Sequence, residues 1–471
     1  MTPQLTQEQR SIFDTVTTSA MENKGGVYMI DAPAGTGKTF TECAIAAHLR
    51  ARAKLVLCAA STGIATLILP GGLTAQSTFK LPFGDDAIEG SVCNVPAESE
   101  RADVLKKASL IIWDEIVMSS KFAPEALHST LQDLCQNDLP FGGKTILFSG
   151  DWRQVAPVLP FGTESEIVAH AFLSSCLWSQ VHRFRLTKCM RDKDDIPYAK
   201  TVLAVGEGNI EPVLLYDGTA AIPLHHTVTT KMVPETTCSI AGTTEFEDLI
   251  HKVYPDLLEA NHNIFNDRGI LAPTNDNIDQ INDFILRKIP GRVHEQLSSD
   301  KIIKGDENMP DVVSVEYLNS INVPGTPPHK FSLKVGSLIF FIRNINFDCG
   351  LVNGKRGVIR AITRRVIDVE VLSDESPILQ IPRICFDVKV GSRGITFHRY
   401  QFPVRLCYAM TINKSQGQTL RRVGLDLRGD VFCHGQLYVA VSRTTCRDNI
   451  LCLVNNDRLI NDVPHVHNVV F

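Results

Sequence analysis

Closely spaced cysteine pairs are missing from this 471-residue chain: its thirteen cysteines are scattered, and none forms a C-x-x-C pair. That scatter favours reduced thiols in an intracellular compartment over disulfides or a zinc site. Long apolar runs are missing too, with none approaching the roughly 18 residues of a membrane span. The segment Met1-Thr2-Pro3-Gln4-Leu5-Thr6 is neither basic nor apolar enough for a signal peptide. An excess of positive charge is also lacking, since 47 Lys and Arg face 52 Asp and Glu for a net charge of −5. A uniform basic coat is thereby excluded, but a local nucleic-acid channel is not. There is no periodic internal repeat. What remains is 44% apolar and 21% charged residues, a folded-protein composition. The chain is too long for one core, so about two to four domains are expected.

The chain is organised around residues 28–40. Val27 to Ile30 end a buried strand, Asp31-Ala32-Pro33-Ala34-Gly35-Thr36 turns, and Gly37-Lys38-Thr39 opens a helix reaching Leu49. Strand, glycine-rich turn and helix in that order form a P-loop. Its backbone N–H groups, with Gly35, Thr36 and Gly37, cradle phosphates; Lys38 reaches the β- and γ-phosphates, and Thr39 supplies an oxygen to magnesium. Ala32 stands where the pattern has glycine, which is tolerated if the backbone there is not left-handed.

Around this core the chain reads as α/β. Thr6 and Gln9 form a capping box before a helix at Ile12, Phe13 and Val16. Strands are expected at 55–59, 110–113 and 144–149, each ending in polar residues, as in a parallel sheet with its site at the strand ends. Residues 80–106 are weakly patterned and read as a small insertion. The pattern starts afresh near Val181, with a strand at 269–272 and a helix over 277–286. Residues 290–400 carry short strand-like runs between Pro/Gly turns, a β-rich insert, and the α/β pattern resumes with the apolar run 404–410.

Asp114-Glu115 after the third strand is the partner of the P-loop: Asp114 holds magnesium through water, and Glu115 orients and deprotonates the attacking water. Gln154, at the next strand end, senses the γ-phosphate or its water. Arg191 and Arg443 are the cationic candidates from the second α/β domain, with Arg443 projecting from the end of an apolar helix. Thr411, Lys414, Ser415 and Gln416 suit contact with a phosphate backbone. Thr62, Thr74 and Ser77 offer hydroxyls, and Phe79 an aromatic face, to a single strand. Trp113 and Trp152 are read as packing residues. Lys330, Lys334, Arg343, Lys355, Arg356, Arg360, Arg364 and Arg365 load the β-rich insert with positive charge; by themselves they read equally as a solvated basic face, and only beside the flanking motifs are they expected to contact nucleic acid away from the ATP site. No histidine has partners at metal-ligand spacing.

In order along the chain these stretches resemble the motifs of the Pif1-like branch of superfamily 1 DNA helicases. Leu5-Thr6-x-x-Gln9 resembles its adenine-reading glutamine motif, and Gln76 stands where the family commonly has histidine. The resemblance implies two RecA-like P-loop domains with parallel sheets, a small insertion in the first and an SH3-like β-rich insertion in the second. Boundaries are expected at 1–65 with 107–180, 66–106, 181–286 with 401–471, and 287–400. It implies ATP and Mg2+ as cofactors, 5′→3′ translocation on single-stranded DNA, unwinding of tailed or structured duplexes, a monomer on DNA and a nuclear location in a eukaryote. Roles in DNA repair, recombination and telomere maintenance belong to the same implication. Phe122 to Leu134, Pro140 to Lys144 and Glu316 to Ser320 are similar to helicase domains of Helitron transposons, so the chain is either a free-standing relative or a fragment of a longer transposon-type polypeptide. A P-loop ATPase that remodels nucleic acid without unwinding, an inactive binding scaffold and a metabolic kinase are the rival readings. DNA-stimulated ATPase and tailed-duplex unwinding assays separate them.

Overall fold

The computed structural model describes residues 4–82, 87–159, 162–190, 195–214, 220–224, 229–233, 244–257, 265, 267–303, 314–323, 325–373, 377–390, 396–461 and 463–471. Helix α1 (Gln7–Glu22) starts at the expected box, with Gln9 N–H donating to Thr6 Oγ1 and Thr6 N–H to Gln9 Oε1. Its buried stripe of Ile12, Phe13, Val16 and Ala20 lies on a six-stranded parallel sheet. The strands are β1 (Gly26–Asp31), β2 (Val56–Ala60), β3 (Leu73–Thr74), β4 (Leu110–Asp114), β5 (Thr145–Gly150) and β6 (Val181–Arg185), in the spatial order β3-β2-β4-β5-β1-β6. Apolar clusters cover both faces, so β4 and β5 are buried throughout and read as unbroken apolar runs. The C-terminal ends of β1, β4 and β5 therefore carry the first polar groups of the sheet into one crevice.

Two expected boundaries move. Val181 does not begin the second domain: β6 pairs with β1 in register Val27 to Val181 and closes the edge of the first sheet. Being an edge strand with one wet face, it lacks the apolar continuity of its neighbours. Within the stretch expected as an insertion, β3 likewise belongs to the first sheet.

The second parallel sheet has the order Ala409–Thr411, Arg268–Ala272, Arg422–Asp426, Ile450–Asn455, Thr229–Val233. Between its first two strands in sequence order after residue 268 lies the β-rich insert. It holds a five-stranded antiparallel sheet (Ile378–Pro382, Val366–Val371, Arg356–Ile362, Leu338–Phe341, Val404–Leu406), a three-stranded sheet (Ser299–Ile302, Thr396–Gln401, Ile384–Lys389) and an antiparallel pair (His294–Leu297 with Lys330–Leu333). The run 404–410, expected as one strand, is two: Val404–Leu406 pairs inside the insert, and Ala409–Thr411 pairs with Arg268–Ala272. Tyr408 sits at the break, its hydroxyl accepting from Leu338 N–H at 2.8 Å and its carbonyl from Tyr254 Oη at 2.7 Å. The insert thus extends to Leu406, past the limit of 400. No described helix is long and apolar enough to cross a membrane.

Candidate nucleotide-binding site

The P-loop joins β1 to helix α2 (Lys38–Arg50). Gly35 and Gly37 take left-handed backbone, φ 83° and 84°, while Ala32 is not among the positive-φ residues, so its methyl costs no backbone strain. Gly37 has a second reason to be glycine, because a Cβ there would come 2.5 Å from Gln9 Nε2. Gln9 itself is buried, donating to Thr36 carbonyl at 3.1 Å while its oxygen serves Thr6. In this state the glutamine buttresses the loop.

The loop lines a cavity of about 690 Å³ together with Lys38, Thr39, Glu115, Gln154, Met190, residues 354–356, residues 417–419 and Arg443. Lys38 Nζ lies 2.6 Å from Asp114 Oδ1 and 2.7 Å from Glu115 Oε1. Burial alone would lower the Lys38 pKa, but the charges of Asp114, Glu115 and Glu42 outweigh it and push the ammonium's pKa up. Burial also lifts Glu115 above the ordinary carboxylate range; Lys38 opposes this and the Asp114 charge adds to it. Glu115 has left-handed backbone, φ 56°, which turns its side chain off the strand end toward Lys38.

Glu42 was not singled out by sequence reasoning. It is fully buried on α2, and Ser149 Oγ bridges it to Asp114, 2.8 Å from Asp114 Oδ1. Burial and the Asp114 charge hold Glu42 well above the carboxylate range. The available signal was a lone glutamate at the fifth position of an otherwise apolar helix face.

The pocket fits a magnesium nucleotide. Glu115 Oε2 and Gln154 Oε1 are buried acceptors with no donor among the described residues, so both can accept hydrogen bonds from a water directed at a phosphate. Thr39 lines the cavity, and Asp114 stands behind Lys38, where it would act through water. When bound, Mg2+ neutralises phosphate oxygens.

Arg443 does not project from its helix (Gln436–Val441) as expected. It is buried, with Nε donating to Val439 carbonyl at 2.8 Å, Nη1 to the Gln418 and Ser415 carbonyls at 2.8 and 3.3 Å, and Nη2 to Ser442 Oγ at 2.7 Å. It lines the cavity without any further closure of the two sheets. Arg191 lies outside the described residues; the chain reaches the cavity just before it, where Met190 N–H donates to Gly35 carbonyl at 2.9 Å. A second joint was missed: Tyr438 Oη donates to Asp151 Oδ2 at 2.7 Å and accepts from the P-loop Ala34 N–H at 3.3 Å. Burial and the Asp151 charge raise the Tyr438 phenol's pKa far up, keeping it protonated in this bridge between the domains.

The basic insert is also redistributed. Lys355 and Arg356 line the nucleotide cavity, contrary to the expectation that the insert stays out of it. Lys334 is buried with Nζ on Ile289 carbonyl at 2.6 Å, while Lys330 and Arg360 pair with Glu295 and Glu370. Arg343 lies over the Phe386 ring. Arg364 and Arg365 remain exposed, beside Arg292 and Arg383 at a cleft of about 830 Å³.

Among the strand-contact candidates, Phe79 is overturned: it is fully buried against Trp113, ring centroids 5.3 Å apart, so it has no face to offer a base. Trp113 is core, and Trp152 packs on Trp178. Thr62 and Thr74 cap helices α3 (Gly63–Thr66) and α4 (Ala75–Phe79), and Thr74 Oγ1 donates to Ser77 Oγ at 2.9 Å. Gln76 Nε2 donates to Leu81 carbonyl at 2.6 Å. Ser415 is buried on Ile412 carbonyl, which removes its hydroxyl as a DNA contact. Gln416 is buried, and neither of its amide atoms has a partner among the described residues. Thr411 and Lys414 line a separate cleft with Arg405, between the second sheet and the insert.

Two parallel sheets meeting over one P-loop cavity define a P-loop protein with paired RecA-like domains. Comparison narrows the class: the profile of the PIF1-like helicases matches residues 4–215, and that of the DNA helicase Pif1 2B domain matches 316–362. The chain belongs to the Pif1-like helicases of superfamily 1. It is 26% identical over 446 residues to the human ATP-dependent DNA helicase PIF1, covering 94% of this chain and 59% of that one. To the Campylobacter jejuni ATP-dependent DNA helicase Pif1 it is 25% identical over 430 residues, covering 88% and 85%. The crystal structure of Bacteroides Pif1 bound to ssDNA superposes with a TM-score of 0.66 at 22% identity, over 97% of this chain and 93% of that one. This chain spans less than two thirds of the human relative's length.

Proposed function

We propose that this chain is an ATP-dependent DNA helicase that moves 5′→3′ on single-stranded DNA and unwinds tailed duplexes as a monomer. The observation that carries this reading is the shared cavity. The first sheet supplies Lys38, Glu115 and Gln154, the second domain Arg443 and residues 417–419, and the insert residues 354–356. A nucleotide bound there touches all three bodies, so its hydrolysis can shift them relative to a strand held across them. Lys38 and Arg443 meet phosphate charge, Glu115 takes a proton from water, and Gln154 orients that water. The Bacteroides relative, by its description, binds ssDNA, which supports the same class of partner here. The Helitron-type affinity, roles in repair, recombination and telomere maintenance, and a nuclear location in a eukaryotic host are proposed on the resemblance alone.

ATP turnover is expected to rise severalfold as a poly-thymidine oligonucleotide is titrated in, and 5′-tailed duplexes should unwind while 3′-tailed ones do not. A rate flat to saturation would remove the coupling; stimulated turnover without unwinding would favour a remodelling ATPase.

Arg364 and Arg365 are the exposed arginines of the insert best placed for phosphates. Changing both to alanine should weaken binding to every DNA sequence alike and reduce the salt slope by up to about one unit per lost contact. Isotherms at several salt concentrations that overlay the parent's would take this cleft off the DNA path.

A further inference from the structure

The three-stranded sheet of the insert carries a cluster unrelated to the nucleotide cavity. Strand Ile384–Lys389 runs antiparallel to Thr396–Gln401, setting Cys385 opposite Tyr400 and Asp387 opposite His398. Side chains two apart on a strand share a face, so these four stand together. Theirs is the solvent side: Phe386 and Val388 point into the core from one strand, Phe397 and Arg399 from the other. Arg399 is locked there by a buried ion pair with Asp300, 2.7 Å long, so the pleat cannot turn over to hide the outer face.

On that outer face one ligand atom each from Cys385, Asp387 and His398 lies within 4.8 Å of the other two, and His398 Nδ1 is 2.8 Å from Asp387 Oδ1. Sulfur, imidazole nitrogen and carboxylate oxygen are the donors that zinc takes, at about 2.0–2.3 Å and near-tetrahedral angles. Three donors held by two hydrogen-bonded strands need only side-chain rotation to converge. We propose that Cys385, Asp387 and His398 form a zinc-binding site, with a fourth position open to water. A thiolate and a carboxylate balance the two positive charges, the thiol giving up its proton on binding. The sequence pointed away from zinc because it offers no closely spaced cysteines; here the donors are gathered by strand pairing across eleven to thirteen residues, a spacing no short motif reports. The ion would fasten the edge strand Ile384–Lys389 to its neighbour.

One further group shapes the affinity. Lys301, on the third strand, faces His398 directly and is exposed on the same side, so its ammonium opposes the cation.

The test uses the full chain, stripped with a chelator and without an affinity tag. It is titrated with Zn2+ against a chromophoric chelator, and separately with Co2+ followed by absorption. One equivalent should bind, and the Co2+ form should show a thiolate charge-transfer band with the intense visible bands of four-coordinate cobalt. Cys385→Ser should abolish the charge-transfer band. Cys385→Ser and His398→Ala should each weaken zinc binding by at least about 10–100-fold, the cost ordinarily seen even for outer-shell partners. Lys301→Ala should tighten it, and Cys349→Ser, at an exposed cysteine elsewhere, should change nothing. Melting curves in zinc-free buffer show that each variant is folded. A parent that takes up no zinc, or a Cys385→Ser/His398→Ala double variant with undiminished binding, overturns the site.

Discussion

Replacing Glu115 with glutamine is expected to cut ATP turnover by about 10²–10⁴-fold, the usual worth of a general base, while leaving nucleotide affinity near the parent's. The amide oxygen can still accept from Lys38, as Glu115 Oε1 does at 2.7 Å, so the local packing survives. What is lost is a proton acceptor, and Oε2, which has no donor among the described residues, is the atom positioned to be one. Since burial raises the Glu115 pKa, the parent's turnover should fall with decreasing pH at a point above the ordinary carboxylate range. Below that point Glu115 is protonated and cannot act as base; above it the base is available, and the glutamine variant should lack this limb altogether. Lys38→Ala should behave differently. It removes the cation between Asp114 and Glu115 and beside Glu42, leaving three buried carboxyls uncompensated. Breaking such a pair costs about 3–5 kcal/mol, so stability and nucleotide binding should fall together. Steady-state turnover, equilibrium binding of a non-hydrolysable analogue and melting temperature distinguish the two variants. Parental turnover in Glu115→Gln would assign the base elsewhere.

The other large effect is expected at Arg443. A cation placed against a transferring phosphoryl group contributes on the order of 10³-fold or more, and Arg443→Ala should lose it. The structure adds a second consequence. The guanidinium satisfies the carbonyls of Ser415, Gln418 and Val439, and each buried acceptor left without a donor costs about 1–3 kcal/mol. The melting temperature should therefore drop, yet the second domain's core remains large enough to hold the fold. Arg443→Lys keeps the charge but cannot span three carbonyls, so it should recover part of the turnover and little of the stability. If turnover per folded molecule is unchanged in Arg443→Ala, the residue is a brace alone. If it falls by the expected factor, the arginine does both.

Much of the site was legible because its chemistry is local. The P-loop, the acidic pair closing β4 and the glutamine after β5 each follow a buried strand, and buried parallel strands advertise themselves as unbroken apolar runs. Arg443 was legible as a residue and not as a geometry, since a helix end in sequence says nothing about which carbonyls surround it. Phe79 was misread for the same reason: Thr74, Gln76 and Ser77 set a polar context, but the aromatic ring turns inward onto Trp113. The run 404–410 failed at a finer level. Apolar periodicity cannot tell one long strand from two short ones that pair in different sheets, and only Tyr408's bonds to both neighbours mark the seam. Edge strand β6 escaped because half of it faces water.

The seam between the insert and the first domain has a consequence for how such a protein can be rebuilt. Gly354 takes left-handed backbone, φ 89°, and a Cβ on it would come 2.6 Å from Ile64 Cδ1 of helix α3; a Cβ on Gly63 would come 3.0 Å from Asn353 carbonyl. Two bare backbones meet here, and Lys355 follows directly into the nucleotide cavity. The insert looks like a cassette in the sequence, bounded by turns and different in texture from its surroundings. It is nevertheless a wall of the nucleotide cavity. A chimera that exchanged it for another β-rich module would have to carry the 353–356 loop and its glycine intact, or accept an ATP pocket open on one side.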